Sequence, residues 1–311
     1  MSKLPKIALG AWAWGNDGTF GGNFTADSLR PIFDTAMANG LNLWDTAYAY
    51  GMGTSEKVLA GFLKDLPRED YFISDKFTPQ CADESNPDAM RDMIEMQQNL
   101  MGLERFDIYW IHNVWNAPRW TQELAKYYEG KENVPMLGVS NHNLSEIKQA
   151  NEILKAHGLK LSAVQNHYSL INRSSETSGI LDYCKENDII FFSYMVLEQG
   201  ALSGKYDTGH PMPAGSARAE TYNPVLDKLE KLNGELKKLA DKYGVGPAQI
   251  PVAWAIAKGT LPIIGVTKTS HVEDAVKAMN VKLTADETAQ LEKKADSLEL
   301  NVIRFWEKEM K

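Results

Sequence analysis

Short apolar runs alternate with stretches of helical periodicity along almost the whole chain of 311 residues. The first helical stretch shows the pattern: Thr25 caps it, and Leu29, Ile32 and Phe33 fall on one side before Gly40 ends it. Eight runs have the length and composition of strands, at residues 6–10, 41–44, 71–76, 106–112, 136–139, 163–166, 189–194 and 261–265. Strands that alternate with helices in this way predict a parallel sheet.

Eight such units in roughly 280 residues, with no linker rich in Gly, Ser or Pro between them, predict an α/β fold, a single (β/α)8 TIM barrel. We predict one domain over residues 1–311. A capping box at Thr284 to Glu287 opens a further helix. A C-terminal helix and tail therefore begin at about residue 284.

The composition argues against several classes of protein. A net charge of −8 and a pI near 5.4 are untypical of a surface that binds nucleic acid or an anionic membrane. The N-terminus lacks a hydrophobic signal core, and no apolar run approaches the ~20 residues that span a bilayer, which predicts a cytoplasmic protein. Two cysteines, Cys81 and Cys184, are too few for a disulfide framework or a cysteine-rich zinc site and favour a reducing compartment.

Charged or polar side chains end three consecutive strands. Asp45 follows the second apolar run, Lys76 ends the third and His112 ends the fourth, while Tyr50 lies in the polar loop after Asp45. The carboxyl ends of the strands of a (β/α)8 barrel meet on one face, where catalytic groups lie. We therefore expect these four side chains to share a site.

Together the four residues suit the reduction of a carbonyl group. A carbonyl that accepts hydride needs a proton, which Tyr50 could supply, although a tyrosine pKa of about 10 is too high for efficiency near neutral pH. Lys76 would lower that pKa, Asp45 would hold the lysine charged, and His112 would position the carbonyl oxygen. Each residue alone also has a structural explanation, as a loop cap, a packing residue, a solvated lysine or a core histidine. The combination favours the site.

Three motifs carry a resemblance to a known family. They are Leu43-Trp44-Asp45-Thr46-Ala47-Tyr48-Ala49-Tyr50-Gly51 with Ser55-Glu56, Ser74-Asp75-Lys76-Phe77, and Asp107-Ile108-Tyr109-Trp110-Ile111-His112. Over almost its whole length the chain resembles the aldo-keto reductase superfamily. The resemblance implies a barrel, a nicotinamide cofactor and a tetrad of Asp45, Tyr50, Lys76 and His112, with Tyr50 as general acid. Many members carry a β-hairpin below the barrel, but only Met1 to Pro5 precede the first strand, so we expect the hairpin to be absent.

The resemblance also implies where the cofactor binds. Gly138-Val139-Ser140-Asn141 and Gln165-Asn166 resemble groups that bind its carboxamide, Tyr194 stands where an aromatic residue stacks on the nicotinamide ring, and the loop from Leu197 to Tyr206 lies along the pyrophosphate. The implied binding residues are Ser140, Asn141, Gln165, Tyr194, Leu197, Gln199, Gly200, Lys205, Lys268, Thr269, Ser270, His271 and Asp274. The chain contains no GxGxxG or Walker motif, which is consistent with a dinucleotide held by the barrel.

The segment after the eighth strand bears on the choice of nicotinamide cofactor. Lys268 and the hydroxyls of Thr269 and Ser270 precede a helix predicted over residues 272–279, whose N-terminal amides attract an anion such as a 2′-phosphate. Alternatively, Ser270 caps the helix and Lys268 is solvated. In the family an arginine usually stands at the position of His271 and an asparagine at that of Ala275. We expect NADP(H) to be preferred over NAD(H), but by a smaller margin than an arginine at position 271 would give. NAD(H) stays open as the cofactor.

Tryptophans near the strand ends predict an aromatic mouth that suits apolar or sugar-like carbonyl compounds. The predicted pocket residues are Trp12, Trp14, Tyr50, Trp115 and Trp306. Trp110 is explained equally well as a core residue. Met195-Val196 and Asn113 differ from the family's usual residues near the pocket. The scattered histidines His142, His157, His167 and His210 predict packing or surface roles, and we predict no metal site.

Two classes of function follow. The first is an NADP(H)-dependent aldo-keto reductase that converts a small aldehyde or ketone to an alcohol, or an NAD(H)-preferring dehydrogenase of the same kind. The second is a cofactor-binding regulatory subunit or sensor of the same fold. The chain offers no long N-terminal extension for docking, which favours the enzyme. We expect a monomer that binds neither nucleic acid nor membrane.

Overall fold

Eight parallel strands close into a barrel in the order in which they occur along the chain, with β1 paired to both β2 and β8. The strands are β1 Ala8–Gly10, β2 Leu43–Asp45, β3 Phe72–Phe77, β4 Ile108–Ile111, β5 Met136–Ser140, β6 Leu161–His167, β7 Ile190–Tyr194 and β8 Leu261–Gly265. This computed structural model describes residues 4–20, 22–300, 302–304, 307–308 and 310. The predicted (β/α)8 barrel is confirmed, and each predicted strand overlaps an observed one.

Helices connect the strands and pack around the barrel. They are α1 Ala26–Ala38, α2 Thr54–Leu63, α3 Ala89–Met101, α4 Ala117–Tyr128, α5 Leu144–Ala156, α6 Ser174–Thr177, α7 Ile180–Glu186, α8 Ala217–Tyr222, α9 Leu226–Tyr243, α10 Gln249–Ala257, α11 Thr269–Asn280 and α12 Ala285–Asp296. Capping boxes at Thr25, Asn143 and Thr284 satisfy the first amides of α1, α5 and α12, so these three helices begin where the sequence predicts.

The barrel interior is a packed core rather than a channel. Its buried side chains are Ala8, Leu43, Ile108, Trp110, Ala163, Phe192 and Leu261. Residues 4–7, the described part of the segment before β1, form no strand, and Leu4 packs against this cluster instead. A second and larger apolar cluster fills the space between the strands and the surrounding helices. Polar side chains at the carboxyl ends of the strands therefore lie above an apolar floor.

Some helix boundaries differ from the sequence prediction. The helix predicted from Asn86-Pro87 begins only at Ala89, because the Asn86 side chain accepts a hydrogen bond from the amide of Asp88 at 2.9 Å and forms a turn instead. Helix α4 begins at Ala117 rather than near Thr121, since Pro118 is tolerated in a first turn that needs no amide donor. The short helix α8 lies between β7 and α9, and the side chain of Ser216 caps it by accepting from the amide of Ala219.

The register of neighbouring strands brings the polar strand ends to one face. Asp45 of β2 lies opposite Ser74 of β3, and Lys76 lies opposite Trp110 of β4. The amide of His112 continues this ladder by donating to the carbonyl of Phe77 at 2.9 Å. None of the helices in the described part of the chain is long and apolar enough to cross a membrane.

Candidate active site

Lys76 is the centre of the polar group at the carboxyl ends of the strands. Its buried ammonium group donates to Asp45 Oδ1 at 2.5 Å, to the carbonyl oxygen of Thr46 at 2.7 Å and to Tyr50 Oη at 3.2 Å. The ammonium has three protons, so these acceptors match its donors. The cation is therefore fixed between a carboxylate and a phenol.

His112 completes the group predicted from the sequence. Its imidazole ring lies edge-on to the ring of Tyr50, with 5.8 Å between the ring centres. Its Nδ1 lies 2.7 Å from the hydroxyl of Thr78. Burial, together with the nearby charge of Lys76, lowers the pKa of His112 to about 3. The imidazole is therefore neutral at pH 7, and the hydrogen bond to Thr78 orients its ring.

Burial and charge act in opposite directions on Tyr50 and Lys76. Burial raises the pKa of Tyr50 and outweighs Lys76, which lowers it. Lys76 therefore acts on the pKa of Tyr50 in the direction that the sequence predicts, but the net pKa of this tyrosine lies above its ordinary value. For Lys76 itself, burial is outweighed by Asp45 and Tyr50, and the pKa of the ammonium lies above its usual range. Lys76 stays charged at neutral pH.

Ser74 and Thr78, two polar side chains that contact the tetrad, were not predicted from the sequence as part of the site. The hydroxyl of Ser74 donates to Asp45 Oδ2 at 2.7 Å and accepts from the indole of Trp110 at 2.7 Å. The side-chain amide of Gln165 donates to the same carboxylate oxygen at 3.1 Å. Ser74 and Thr78 lie two residues before and after Lys76, so strand alternation places all three side chains on one face. That spacing is a signal that the sequence carries.

Close contact between two glycines holds the loop that carries Tyr50. A side chain at Gly15 would lie 2.5 Å from the carbonyl carbon and oxygen of Tyr50, and one at Gly51 would lie 1.9 Å from the carbonyl oxygen of Gly15. Gly51 also has a φ of 68°, which residues with a Cβ rarely adopt. The two backbones can approach this closely only because both residues lack side chains. The loop thereby keeps the phenol above Lys76.

Asn141 and Tyr194 lie together on the side of the site formed by β5, β6 and β7. Asn141, which has a φ of 63°, donates to the carbonyl oxygen of His112 at 3.0 Å and accepts from the hydroxyl of Tyr194 at 2.5 Å. It also donates to the hydroxyl of the buried Ser140 at 3.1 Å. The ring of Tyr194 stacks on that of His167, with centres 5.7 Å apart. Both Asn141 and Gln165 therefore reach the tetrad.

The loop that follows β7 has an unusual backbone. Met195, Glu198 and Gln199 have φ angles of 61°, 48° and 52°, and Gly200 has one of 98°. Such left-handed residues cost free energy and persist only where surrounding contacts hold them. The buried Oε1 of Gln199 has no hydrogen-bond partner among the described residues. Leu197 is half-buried, and Lys205 is exposed farther along the loop. This loop offers polar groups that a ligand can use.

Helix α11 follows β8 and begins at Thr269. Lys268 is exposed and caps the helix without a side-chain hydrogen bond, and Thr269 and Ser270 form the first turn. Our prediction that the helix begins at Val272, with Ser270 as its alternative cap, is therefore wrong. Burial and the charge of Lys268 lower the pKa of His271, whose Nδ1 accepts from the amide of Thr267 at 3.3 Å. Asp274 pairs with Lys277 at 3.7 Å.

The predicted pocket tryptophans have different surroundings. Trp12 is half-buried and stacks on Tyr50 with ring centres 5.6 Å apart, and Trp115 is 57% exposed. Trp14 is completely buried, donates to the carbonyl of Val266 at 2.7 Å and packs on Trp44. It lies behind the site rather than on its wall, because the short helical turn after β1 directs its ring towards the core. Trp306 lies outside the described residues.

The histidines outside the tetrad differ in burial. His142 and His167 are buried, while His157 contacts Gln122 and lies 2.9 Å from Glu129, and His210 is exposed. Among the residues that the structure describes, no three side chains of His, Cys, Asp or Glu form a group that could hold a metal ion.

Comparison with known proteins identifies the family. A model of the Aldo/keto reductase family matches residues 6–296. The chain is 32% identical over 310 residues to the chloroplastic pyridoxal reductase of Arabidopsis thaliana, covering 93% of this chain and 82% of that protein. It is 26% identical over 329 residues to the NADH-specific methylglyoxal reductase of Escherichia coli, covering 95% of this chain and 96% of that protein.

The fold is also similar to that of solved structures. The crystal structure of an aldo-keto reductase from Klebsiella pneumoniae in complex with NADPH superposes with a TM-score of 0.71. The two sequences are 22% identical, and the match covers 93% of this chain and 90% of that chain. At this identity the likeness shows a shared barrel fold.

Proposed function

Since this chain belongs to the Aldo/keto reductase family of oxidoreductases, we propose that it reduces an aldehyde or a ketone to an alcohol with NADP(H). The observation that carries the proposal is the position of Lys76, whose ammonium group contacts both the Asp45 carboxylate and the Tyr50 phenol. A buried cation beside a phenol favours the phenolate that remains after proton donation. The arrangement therefore suits a tyrosine acid.

Each member of the tetrad has a separate task in the proposed reaction. NADPH, when bound, supplies the hydride that adds to the carbonyl carbon. Tyr50 donates its phenolic proton to the carbonyl oxygen, and Lys76 stabilises the resulting phenolate until it takes a proton from water. Asp45 keeps Lys76 charged and in place. We assign Thr78 as the donor to Nδ1 of the neutral His112, which then carries its hydrogen on Nε2 and hydrogen-bonds the carbonyl oxygen.

The described residues fit a dinucleotide that runs from β7 to α11. Tyr194 would stack on the nicotinamide, with Ser140, Asn141 and Gln165 near its carboxamide. The unpartnered Oε1 of Gln199 and the left-handed loop around it leave polar groups for the pyrophosphate, along with Leu197, Gly200 and Lys205. The adenosine end would reach Lys268, Thr269, Ser270, His271 and Asp274.

The start of α11 supports NADP(H) over NAD(H). The first turn presents free backbone amides, and Lys268 beside it adds a positive charge, which together suit a 2′-phosphate. His271 is neutral at pH 7 and cannot add the bidentate contact of an arginine. The similarity to an NADH-specific relative keeps NAD(H) as the second candidate. We therefore propose a preference for NADPH with a modest margin.

The substrate class proposed for this site is an aromatic aldehyde of the pyridoxal kind. Trp12 stacks on the proton donor Tyr50 and forms an aromatic wall where a planar ring can lie. The relative from Arabidopsis thaliana is named a pyridoxal reductase, at 32% identity. Pyridoxal carries an aldehyde on an aromatic ring, so its carbonyl oxygen could reach Tyr50 while its ring contacts Trp12.

The experiment that tests the function follows the absorbance of NADPH with pyridoxal and a series of other aldehydes and ketones. Tyr50→Phe should abolish most turnover while NADPH still binds, because only the proton donor is lost. Tyr48→Phe is the matched control in the same loop and should keep its activity. The proposal would be refuted if Tyr50→Phe turned over at the native rate. It would also be refuted if the native protein reduced none of the carbonyl compounds.

The alternative of a regulatory subunit or sensor predicts tight cofactor binding without turnover, and the same assay decides it.

We further propose that residues 1–311 act as one domain and as a monomer. A cytoplasmic location stays a prediction, and the name of the Arabidopsis thaliana relative places that protein in the chloroplast.

A further inference from the structure

Four charged side chains form a buried group beside the cofactor loop and outside the tetrad. His167 ends β6, Glu198 lies in the loop after β7, and Arg304 and Glu307 belong to the C-terminal tail. They are 1%, 0%, 6% and 9% exposed. We call these residues the buried quartet. Buried charges without partners are costly, so a group of this size requires mutual compensation.

The buried quartet is connected by short contacts. His167 Nε2 lies 2.6 Å from Glu198, and its Nδ1 lies 3.1 Å from Glu307. The guanidinium of Arg304 lies 2.6 Å from Glu307 and donates to the hydroxyl of Tyr222 at 2.6 Å, which in turn donates to Glu198. Despite burial, Glu198 and Glu307 raise the pKa of His167 to about 9. Two cations thus balance two anions.

The buried quartet touches two parts of the cofactor site. The imidazole of His167 stacks under the ring of Tyr194, with an interplanar angle of 26°. Glu198 lies inside the left-handed segment 195–200, and its carboxylate also accepts from the hydroxyl of Ser169 at 2.5 Å. Arg304 therefore reaches the loop directly, since its guanidinium lies 3.6 Å from Glu198, and Glu307 reaches the stacking Tyr194 through His167.

We propose that the buried quartet is a positioning unit through which the C-terminal tail holds Tyr194 and the segment 195–200 ready for the nicotinamide half of the cofactor. Arg304 and Glu307 are then positioning residues that touch neither cofactor nor substrate. A strained loop persists only when surrounding contacts determine it, and these two residues supply such contacts. This inference rests on the proposed function, since it assumes that Tyr194 faces the nicotinamide ring.

The test compares two ligands in the full-length protein. The double variant Arg304→Met with Glu307→Met removes one cation and one anion together. His167 and Glu198 then remain as an ion pair without net charge. We expect NADPH to bind about tenfold more weakly, the size of a typical coupling through positioned side chains. Adenosine 2′-phosphate, which lacks both the pyrophosphate and the nicotinamide, should bind as in the native protein. Fluorescence titration measures both dissociation constants.

Lys308→Met is the matched control, because Lys308 belongs to the same tail but pairs with Glu146 of α5 at 2.5 Å. It should change neither dissociation constant. Tyr222→Phe removes only the hydroxyl between Arg304 and Glu198, and serves if the double variant does not fold. We expect it to weaken the binding of NADPH about threefold and to leave the binding of adenosine 2′-phosphate unchanged.

Two results would overturn the inference. One is that the double variant, or Tyr222→Phe in its place, binds NADPH like the native protein. The other is an equal loss for both ligands, which would indicate a general structural role. Both of these results leave the proposed function intact. A native protein that binds no NADPH would instead refute the proposed function.

Discussion

The ammonium group of Lys76 lies 3.2 Å from the phenol oxygen of Tyr50 and 4.9 Å from the centre of its ring. The lysine is fully buried and has no water layer that could screen its charge from the phenol. Burial alone makes Tyr50 a weaker acid, so the tyrosine depends on this one cation to act as a proton donor.

Lys76→Met should lower kcat by about 10²- to 10⁴-fold, the usual contribution of assisted proton transfer. It also leaves the Asp45 carboxylate buried without its cation, which should cost about 3–5 kcal/mol of unfolding free energy. The double variant Asp45→Asn with Lys76→Met removes both charges. It should recover much of the stability and none of the activity, as measured by urea unfolding and turnover. Recovery of activity in the double variant would contradict the role of Lys76.

Gly15→Ala should disturb Tyr50 without changing any polar group. The added Cβ would lie 2.5 Å from the backbone of Tyr50, so the loop must shift. We expect a loss of about 1–3 kcal/mol of unfolding free energy together with a lower kcat. Gly61→Ala in α2 meets nothing within 4 Å and should instead stabilise the protein by about 0.5–1 kcal/mol at unchanged kcat. Native activity in Gly15→Ala would show that the close approach is unimportant.

Trp12→Ala should distinguish aromatic from small aldehydes. If the indole forms the wall of the pocket, its loss should raise KM for pyridoxal by about tenfold, and KM for a small aliphatic aldehyde much less. Trp12→Phe keeps a ring over Tyr50 while it loses the hydrogen bond to Asp17, so it should resemble the native protein. An equal rise of KM for both substrates would argue against stacking with the substrate.

His271→Arg should widen the preference for NADPH over NADH by about tenfold, because a charged guanidinium adds a charge-assisted hydrogen bond to the 2′-phosphate. Lys268→Ala should weaken the binding of NADPH and leave the binding of NADH unchanged. Lys282 is exposed and follows the end of α11, so Lys282→Ala is the control that should change the binding of neither cofactor. Dissociation constants for both cofactors measure the effect. Equal weakening of NADH and NADPH by Lys268→Ala would refute the phosphate site.

His142 should make the fold sensitive to acid. Burial lowers its pKa to about 4, and its Nε2 has no partner among the described residues. The unfolded chain, with a histidine pKa of about 6.5, binds the proton more tightly, so stability falls as pH drops from about 6.5 towards 4, by about 3 kcal/mol in total. His142→Asn keeps a donor for the carbonyl of Ser140 and should flatten this part of the profile. Urea unfolding from pH 4 to 8 measures it, and an unchanged slope would contradict the assignment.

The sequence by itself determined the barrel and the place where its polar strand ends meet. Apolar periodicity is a local property, and the parallel register then carries Asp45, Lys76 and His112 to one face whatever the details of packing. Ser74 and Thr78 were also within reach, since both share the face of Lys76 by strand alternation. The start of α11 was misplaced by a few residues, because Lys268 caps it with its backbone alone.

The tertiary structure alone decided how these residues behave. The net pKa of Tyr50 results from the competition between burial and the charge of Lys76. Neither the depth at which Tyr50 is buried nor its distance from Lys76 can be read from a local sequence pattern. His167 looked like a packing residue because its partner Glu198 is 31 positions away and Arg304 and Glu307 lie in the tail. Trp14 likewise faces the core, where it packs on Trp44, a residue that no local sequence pattern places beside it. Electrostatic free energies depend on distances between groups that are remote in sequence, and only the closed barrel sets those distances.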